Sequence, residues 1–342
     1  MLEANERESD LNASLAARAT VFLDSAVEDV VGRTFGCEPF ALPVSFAGAQ
    51  VRGFRIERAW KKQLTLAPYN FQPVLRDLNA DIARALFADA EARGPRWSVR
   101  LRLHHPLDND FVQTLRIGVT QESVETLVSL KRGLDGIVAG MQPRQRTKWR
   151  KALSVADAAG LTVREFRDAE TLRAFYRLFV RVYRDKHRML PQPYALFEQL
   201  LALPPGVRSV RAYAVRDERA SFLGGVFVLT DEVQWCYAWG VTEQAGDYPD
   251  LSTLLIGTAM QDAAAAGARV FSLGASPVSH ENLRRFKRSW GGEDHPILTY
   301  HWREPAREVD LHAGYPLAKA LVARSPLWLL RGVSAPTVKW FA

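Results

Sequence analysis

The sequence predicts an α/β protein in which mixed (α+β) sheets carry helices, arranged as two tandem domains. Three observations point there. Beyond about residue 160 the apolar pattern switches between helical and strand periods in the order strand, helix, helix, three strands, helix, strand, helix, strand. The three consecutive strands are joined by short polar turns and so form an antiparallel meander, which excludes a doubly wound dinucleotide fold. The chain of 342 residues also exceeds the size of one ordinary core.

Residues 161–166 (LTVREF) read as a short strand and Asp168 as a helix N-cap. Leu172, Phe175, Tyr176, Phe179, Val182 and Tyr183 then recur every three or four positions, which places them on one helix face. The prolines of LPQPY (190–194) end that helix, because proline lacks the backbone donor and disfavours helical geometry just before itself. A second helix, 194–203, stops at Pro204, Pro205 and Gly206. Strands follow at 208–216, 221–230 and 233–241. In the last of these, strict alternation puts Trp235, Tyr237 and Trp239 on one face. A helix over 251–266, capped by Ser252 or Asp250 and stopped by Gly267, leads into a buried strand at 268–274. Ser279 caps a further helix (ENLRRFKRSW), which Gly291 and Gly292 end before a last strand at 296–302.

The first half is less periodic. It reads as strands at 43–46, 52–58, 97–104 and 112–119 and a helix at 79–93, with a basic helix at 144–159 joining the halves. Only two cysteines, Cys37 and Cys236, are present, which gives no disulfide framework. The charged opening residues lack the apolar core of a secretory signal, and no apolar stretch approaches the about 20 residues of a bilayer span, so a cytoplasmic protein is expected. The net charge of +7 suits an anionic partner.

Four segments resemble the Fem-like family of GNAT-type acyltransferases: RTKWRKALSVADAAGLTV (146–163), FYRLFVRVYRDKHRMLPQPYALFEQL, QWCYAWGVTEQAGDYPDLSTLLIGTAMQDAAAAG and VFSLGASPVSHENLRRFKRSWGG. The last is similar to the family's strand, glycine turn and Phe-Lys-x-x-x-Gly motif. A looser likeness links LAPYNFQP (66–73), with Tyr69, to an aromatic loop of the family's first domain. The resemblance implies two tandem GNAT-like domains: a degenerate one at 1–145, a catalytic one at 146–305 and an amphipathic tail at 306–342. One departure is Met189-Leu190-Pro191, where relatives often carry Gly-x-Pro.

In such transfer the acceptor attacks the donor carbonyl directly, and the protein supplies positioning, proton removal and charge stabilisation. The resemblance implies that Lys287, beside Phe286, lies near the donor and its developing negative charge; the other reading is a solvated helix face flanked by Arg284, Arg285 and Arg288. Tyr237 and Tyr248 are the further catalytic candidates. Trp235 and Trp239 either line a substrate groove or fill the core. Asp247 lies just before a helix N-terminus, where backbone donors hold anions, and Ser276 follows the glycine turn. Arg184 and Arg188 either recognise an anionic acceptor or favour a helix C-terminus. Adjacent His104 and His105 point to opposite strand faces and cannot chelate one metal, so no metal site is expected.

The coenzyme A loop of GNAT proteins, Gln/Arg-x-x-Gly-x-Gly/Ala, is replaced by EQAGDYPDLS. The donor co-substrate is therefore read as acyl-CoA or an aminoacyl-tRNA, with no tightly bound cofactor. The acceptor is an amine or hydroxyl of a small glycan or peptide precursor of the cell envelope, as in polysaccharide biosynthesis. DNA is not expected as a partner, while tRNA stays open as donor carrier. Arg144, Arg146, Lys148, Arg150 and Lys151 either contact phosphates or form a solvated face. The tail, with Leu317, Leu321 and Trp328 among Lys319, Arg324 and Arg331, either lies peripherally on the inner membrane or packs on the first domain. The alternative to an enzyme is a non-catalytic module, derived from a GNAT pair, that binds anionic glycan or nucleic acid.

Overall fold

The computed structural model describes residues 25–46, 49–59, 61–66, 80–104, 106–206, 209–243, 248, 250–304 and 316–341. In the first half, helix α1 (Ser25–Phe35) precedes strands β1 (Glu38–Phe46), β2 (Ala49–Glu57) and β3 (Lys62–Thr65). Helix α2 (Ala80–Ala92), β4 (Ser98–Leu103), α3 (Asn109–Thr114) and β5 (Gly118–Ser129) follow. Helices α4 (Gly133–Gly140) and α5 (Pro143–Ala158) lead to β6 (Thr162–Glu165), α6 (Ala169–Val182) and α7 (Tyr194–Ala202). The meander is β7 (Ser209–Arg216), β8 (Phe222–Thr230) and β9 (Gln234–Thr242), followed by α8 (Leu251–Ala265), β10 (Val270–Pro277), α9 (Glu281–Arg288) and β11 (Glu293–Trp302). Helices α10 (Pro316–Arg324) and α11 (Leu327–Phe341) close the chain.

All the described strands join one sheet in the order β1-β2-β3-β4-β11-β5-β10-β9-β8-β7-β6. Each half runs through an antiparallel meander, a helix, a strand parallel to the meander's last member, a short helix and a final strand. The two final strands are exchanged. β11 pairs with β4 and β5, and β5 pairs with β10, so each half completes the other's sheet. A cut near residue 145 therefore does not separate the sheet into two. The first helix crosses over as well: Val27, Val30 and Phe35 of α1 pack with Phe175, Phe179 and Phe197 of the second half.

The second half matches the predicted order. Asp168 caps α6 by accepting from Thr171 N–H at 2.7 Å, as expected. Helices α6 and α7 cover one face of the β6–β9 sheet with a cluster built on Phe175, Phe179, Phe197 and Phe227, while α5 and α8 cover the other with Trp149, Trp235, Met260 and Trp290. The expected strand at 112–119 is instead α3 and a turn. Asp108 accepts from Phe111 N–H at 2.9 Å to start the helix, and Arg116 adopts a left-handed φ of 52° before β5 begins. Of the two caps expected for α8, Asp250 holds the position and Ser252 does not, while the cap expected of Ser279 falls at His280; neither Asp250 nor His280 makes a side-chain cap bond.

The alternation expected of β9 also breaks. Phe227 pairs with Trp239 and Val228 with Tyr237, so Ala238 is an extra residue in a β-bulge. A one-residue insertion turns everything after it to the opposite face. Trp235 and Tyr237 accordingly join the Trp149 cluster, whereas Trp239 joins the Phe197 cluster.

Helix α5 meets α8 at Gly257, where an added Cβ would lie 2.0 Å from the Trp149 ring. Gly332 in α11 is also helical, and nothing lies within 4 Å of its Cβ position. Gly257→Ala should therefore destabilise by roughly 1–3 kcal/mol through overpacking, and Gly332→Ala should be neutral or stabilising by up to about 1 kcal/mol. Urea unfolding of both variants checks the opposite signs.

Candidate active site

The site begins where two strands part. β9 and β10 pair in parallel only from Gln234/Val270 to Cys236/Ser272, although both continue, to Thr242 and Pro277. Just beyond that point β10 bulges against β5: Ser272 faces Leu127 and Ala275 faces Glu125. Gly274 lies within the bulge at φ 76°, a left-handed geometry that favours glycine.

Lys287 holds this bulge. It is the buried residue of α9, 7% exposed, and its ammonium donates to the carbonyls of Gly274 at 2.8 Å and Ala275 at 2.9 Å. Burial lowers its pKa from 10.5 to about 8, against the opposing effects of Cys236, Glu125 and Asp294. The neighbouring arginines turn outward: Arg284 and Arg288 both pair with Asp294, and both also reach Glu281. The solvated-face reading thus describes Arg284 and Arg288 but not Lys287.

A buried polar chain, not foreseen from the sequence, continues from the bulge into the seam between the halves. Gly274 N–H donates to Ser272 Oγ at 3.0 Å, and that hydroxyl donates to Glu125 Oε1. Glu125 Oε2 lies 2.7 Å from His104 Nε2, while His104 Nδ1 lies 2.8 Å from the Pro296 carbonyl. A carbonyl only accepts, so Nδ1 carries a proton, and one further proton must lie between Nε2 and the carboxylate. Ser272, Glu125 and His104 come from β10, β5 and the end of β4, and each is buried. The alternation in 97–104 was a usable signal for His104. Glu125 gave none, because β5 (GVTQESVETLVS) reads as polar.

The other predicted residues divide by sheet face. Tyr237, Tyr248 and Phe286 border the same cluster, on the side covered by α5 and α8. The Tyr237 hydroxyl lies over Gly240, where a Cβ would come within 2.1 Å of it, and burial pushes the phenol up to about 12, so it stays a proton donor. Ser276 is fully buried opposite Val124, with no hydrogen bond to its Oγ. Trp235 is a core residue under the Arg211 guanidinium, 4.8 Å from the ring centre. Trp239, edge-on to Phe197 at 5.3 Å, lies on the opposite face; Arg184 sits in the π-helical turn that follows α6, and Arg188 is its C-cap. Arg184 is paired with its neighbour Asp185 at 2.6 Å. Tyr69 and Asp247 lie outside the described residues. Burial pushes both Cys37 and Cys236 thiols up to about 12, so neither is an activated nucleophile. Among the described residues no cluster of three His, Cys, Asp or Glu side chains could hold a metal.

A mixed sheet with parted parallel strands, a bulge at the parting and a helix braced against it defines a GNAT-type transferase fold. Residues 143–288 match the acetyltransferase (GNAT) domain family. The whole chain resembles the solved structure of FemX (14% identity, 87% of this chain and 96% of that one, TM-score 0.61). It also resembles L-PGS from Bacillus licheniformis (11%, 89% and 96%, 0.57) and a tandem GNAT protein from the clavulanic acid biosynthesis pathway (15%, 89% and 97%, 0.50). No curated protein matches the sequence. Residues 143–288 are therefore a GNAT domain, and the chain as a whole has the fold of two GNAT-like domains; at these identities the likeness to FemX and the others is one of fold.

Because folding lowers the Lys287 pKa, the unfolded chain holds that proton between about pH 8 and 10.5 and the folded chain does not. Stability from this group is thus lowest below pH 8 and rises through that window. Relative to Lys287→Met, the native chain should gain up to about 3 kcal/mol across it. A difference that stays flat in pH-dependent denaturant unfolding would show the ammonium to be unburied.

Proposed function

We propose that the chain transfers an activated acyl or aminoacyl group to an amine or hydroxyl of a cell-envelope glycan or peptide precursor by direct attack, without a covalent enzyme intermediate. The observation that carries this reading is the buried Lys287 ammonium at the Gly274 bulge, where β9 and β10 part. A cation in a low-dielectric setting there stabilises the charge that develops on the donor carbonyl oxygen. Tyr237, a protonated phenol on the same side of the sheet, is suited to return a proton to the leaving group.

The donor is anionic, as acyl-CoA and aminoacyl-tRNA both are. Asp250, at the N-cap of α8, opposes a pyrophosphate at that helix end, and Lys148 of α5 offsets it at 3.5 Å. Arg144, Arg150 and Lys151 are exposed along α5 and can carry donor phosphates, whereas Arg146 is engaged with the Ala139 and Met141 carbonyls. Lys287→Ala should fold and yet lose about a hundredfold in transfer rate; unchanged turnover ends the assignment. Melting of the native chain against acyl-CoAs and aminoacyl-tRNA identifies the donor, since a ligand of the folded state raises its midpoint.

The reading includes a cytoplasmic site of action with a peripheral membrane contact. Among the described residues no helix is long and apolar enough to cross a membrane. Leu317, Leu321 and Trp328 of the tail are nevertheless 81%, 70% and 71% exposed, on helices that carry basic residues and no Asp or Glu. Flotation with phosphatidylglycerol-containing vesicles should be salt-sensitive and fall at least tenfold in Leu321→Glu/Trp328→Glu.

A further inference from the structure

The first half holds a second polar surface that the transfer chemistry does not use. Strands β3, β4 and β11 place Leu64, Val99, Leu101, Tyr300 and Trp302 in the core on one face. By alternation the other face carries Gln63, Thr65, Arg100, Arg102, Thr299 and His301, with Thr65 and His301 flanking Arg100 and Thr299 beside Arg102. That face is polar but withdrawn from water: Gln63 and Thr299 are each 2% exposed and His301 4%.

Arg100 and Arg102 stand two residues apart in its middle. Both are half-buried, and the Nε of each is shielded from solvent without a hydrogen bond. Among the described residues neither guanidinium makes a hydrogen bond or ion pair. Other arginines of the chain behave differently: Arg167 binds three backbone carbonyls, and Arg284 binds Asp294. Glu122 and Glu125 act on Arg102 only across space, and Glu304, which feels the charge of Arg100, accepts from Gln63 Nε2 at 2.8 Å. Burial and the charge of Arg100 together depress Arg102 to about 10. Two like charges side by side in a shielded setting are unfavourable until an anion joins them, and paired guanidinium forks match the oxygens of a phosphate or carboxylate.

We propose that Arg100 and Arg102 form a binding site for an oxyanion group, phosphate or carboxylate, carried by the acceptor. Anion binding stands on the arginine pair alone; its assignment to the acceptor rests on the transfer reading. The placement is productive for that reading, because His104 follows Arg102 on the same face at about 7 Å of strand rise. An acceptor anchored at the pair lies along β4 toward the Glu125–Ser272–Lys287 seam.

The test is melting and titration calorimetry of the full chain with inorganic pyrophosphate and with galacturonate, using Arg102→Met and, as an exposed control, Arg219→Met. The native chain and Arg219→Met should be stabilised by at least one of the two anions, pyrophosphate marking a phosphate source and galacturonate an acidic sugar. Arg102→Met should bind that anion at least thirtyfold more weakly. In buffer alone it should melt at or above the native chain, because it sheds an unpaired buried charge, whereas a purely structural arginine would lower the midpoint. No stabilisation by either anion, or equal stabilisation of Arg102→Met, overturns the site. Anion binding that persists while no donor is consumed instead removes the transferase reading and leaves the site standing.

Discussion

The two hydrogen bonds from the Lys287 ammonium to consecutive carbonyls of β10 are the constraint on which the centre of this molecule depends. A bulged strand exposes carbonyls that no longer meet a ladder partner, and a buried carbonyl without a donor is costly. One lysine from the following helix meets both at once. It fixes the left-handed Gly274, and with it the angle at which β10 leaves β9. The same bulge brings Ser272 Oγ within reach of its own strand's Gly274 N–H and of Glu125, so that backbone irregularity and polar network form one unit.

That unit sits on the seam of the exchanged strands. Glu125 and His104 come from the first half in sequence, Lys287 and Ser272 from the second, and Pro296 from the strand inserted between β4 and β5. The halves meet through a continuous ladder of backbone hydrogen bonds, so the residues of the seam are held by regular structure on both sides. Rigid placement of this kind suits chemistry in which the protein contributes orientation and fixed charge.

Much of the second half was legible because its signals are local. Asp168 before a run of period 3.6, the prolines after α6, and the meander's short turns each specify one local geometry. The failures were those of long-range pairing. β5 carries Thr, Gln, Ser and Glu because it is central and its polar groups are met by Ser272 and Asp294, far away in sequence, and by His104, beyond the intervening β11. Helix α1 gave no reading, although its valines complete a core formed more than a hundred residues later. The Ala238 bulge moved Trp239 across the sheet, and a single inserted residue leaves no trace in alternation until pairing is known. Of the predicted site, Lys287 and Phe286 lie on α9 and Ser276 on β10, with Tyr237 and Tyr248 bordering the cluster on the Phe286 side of the sheet, whereas Trp239 joins the cluster on the opposite face.

The insertion of β11 between β4 and β5 bears on how the polypeptide matures. On a ribosome, β4 and β5 emerge roughly 190 and 160 residues before the strand that separates them. Until β11 arrives, both present open edges, the kind of surface that invites mispairing with another nascent chain. Biosynthesis of this protein is thus a race between completing the polypeptide and shielding those edges, and a truncation before residue 302 would release a product that cannot close its own sheet.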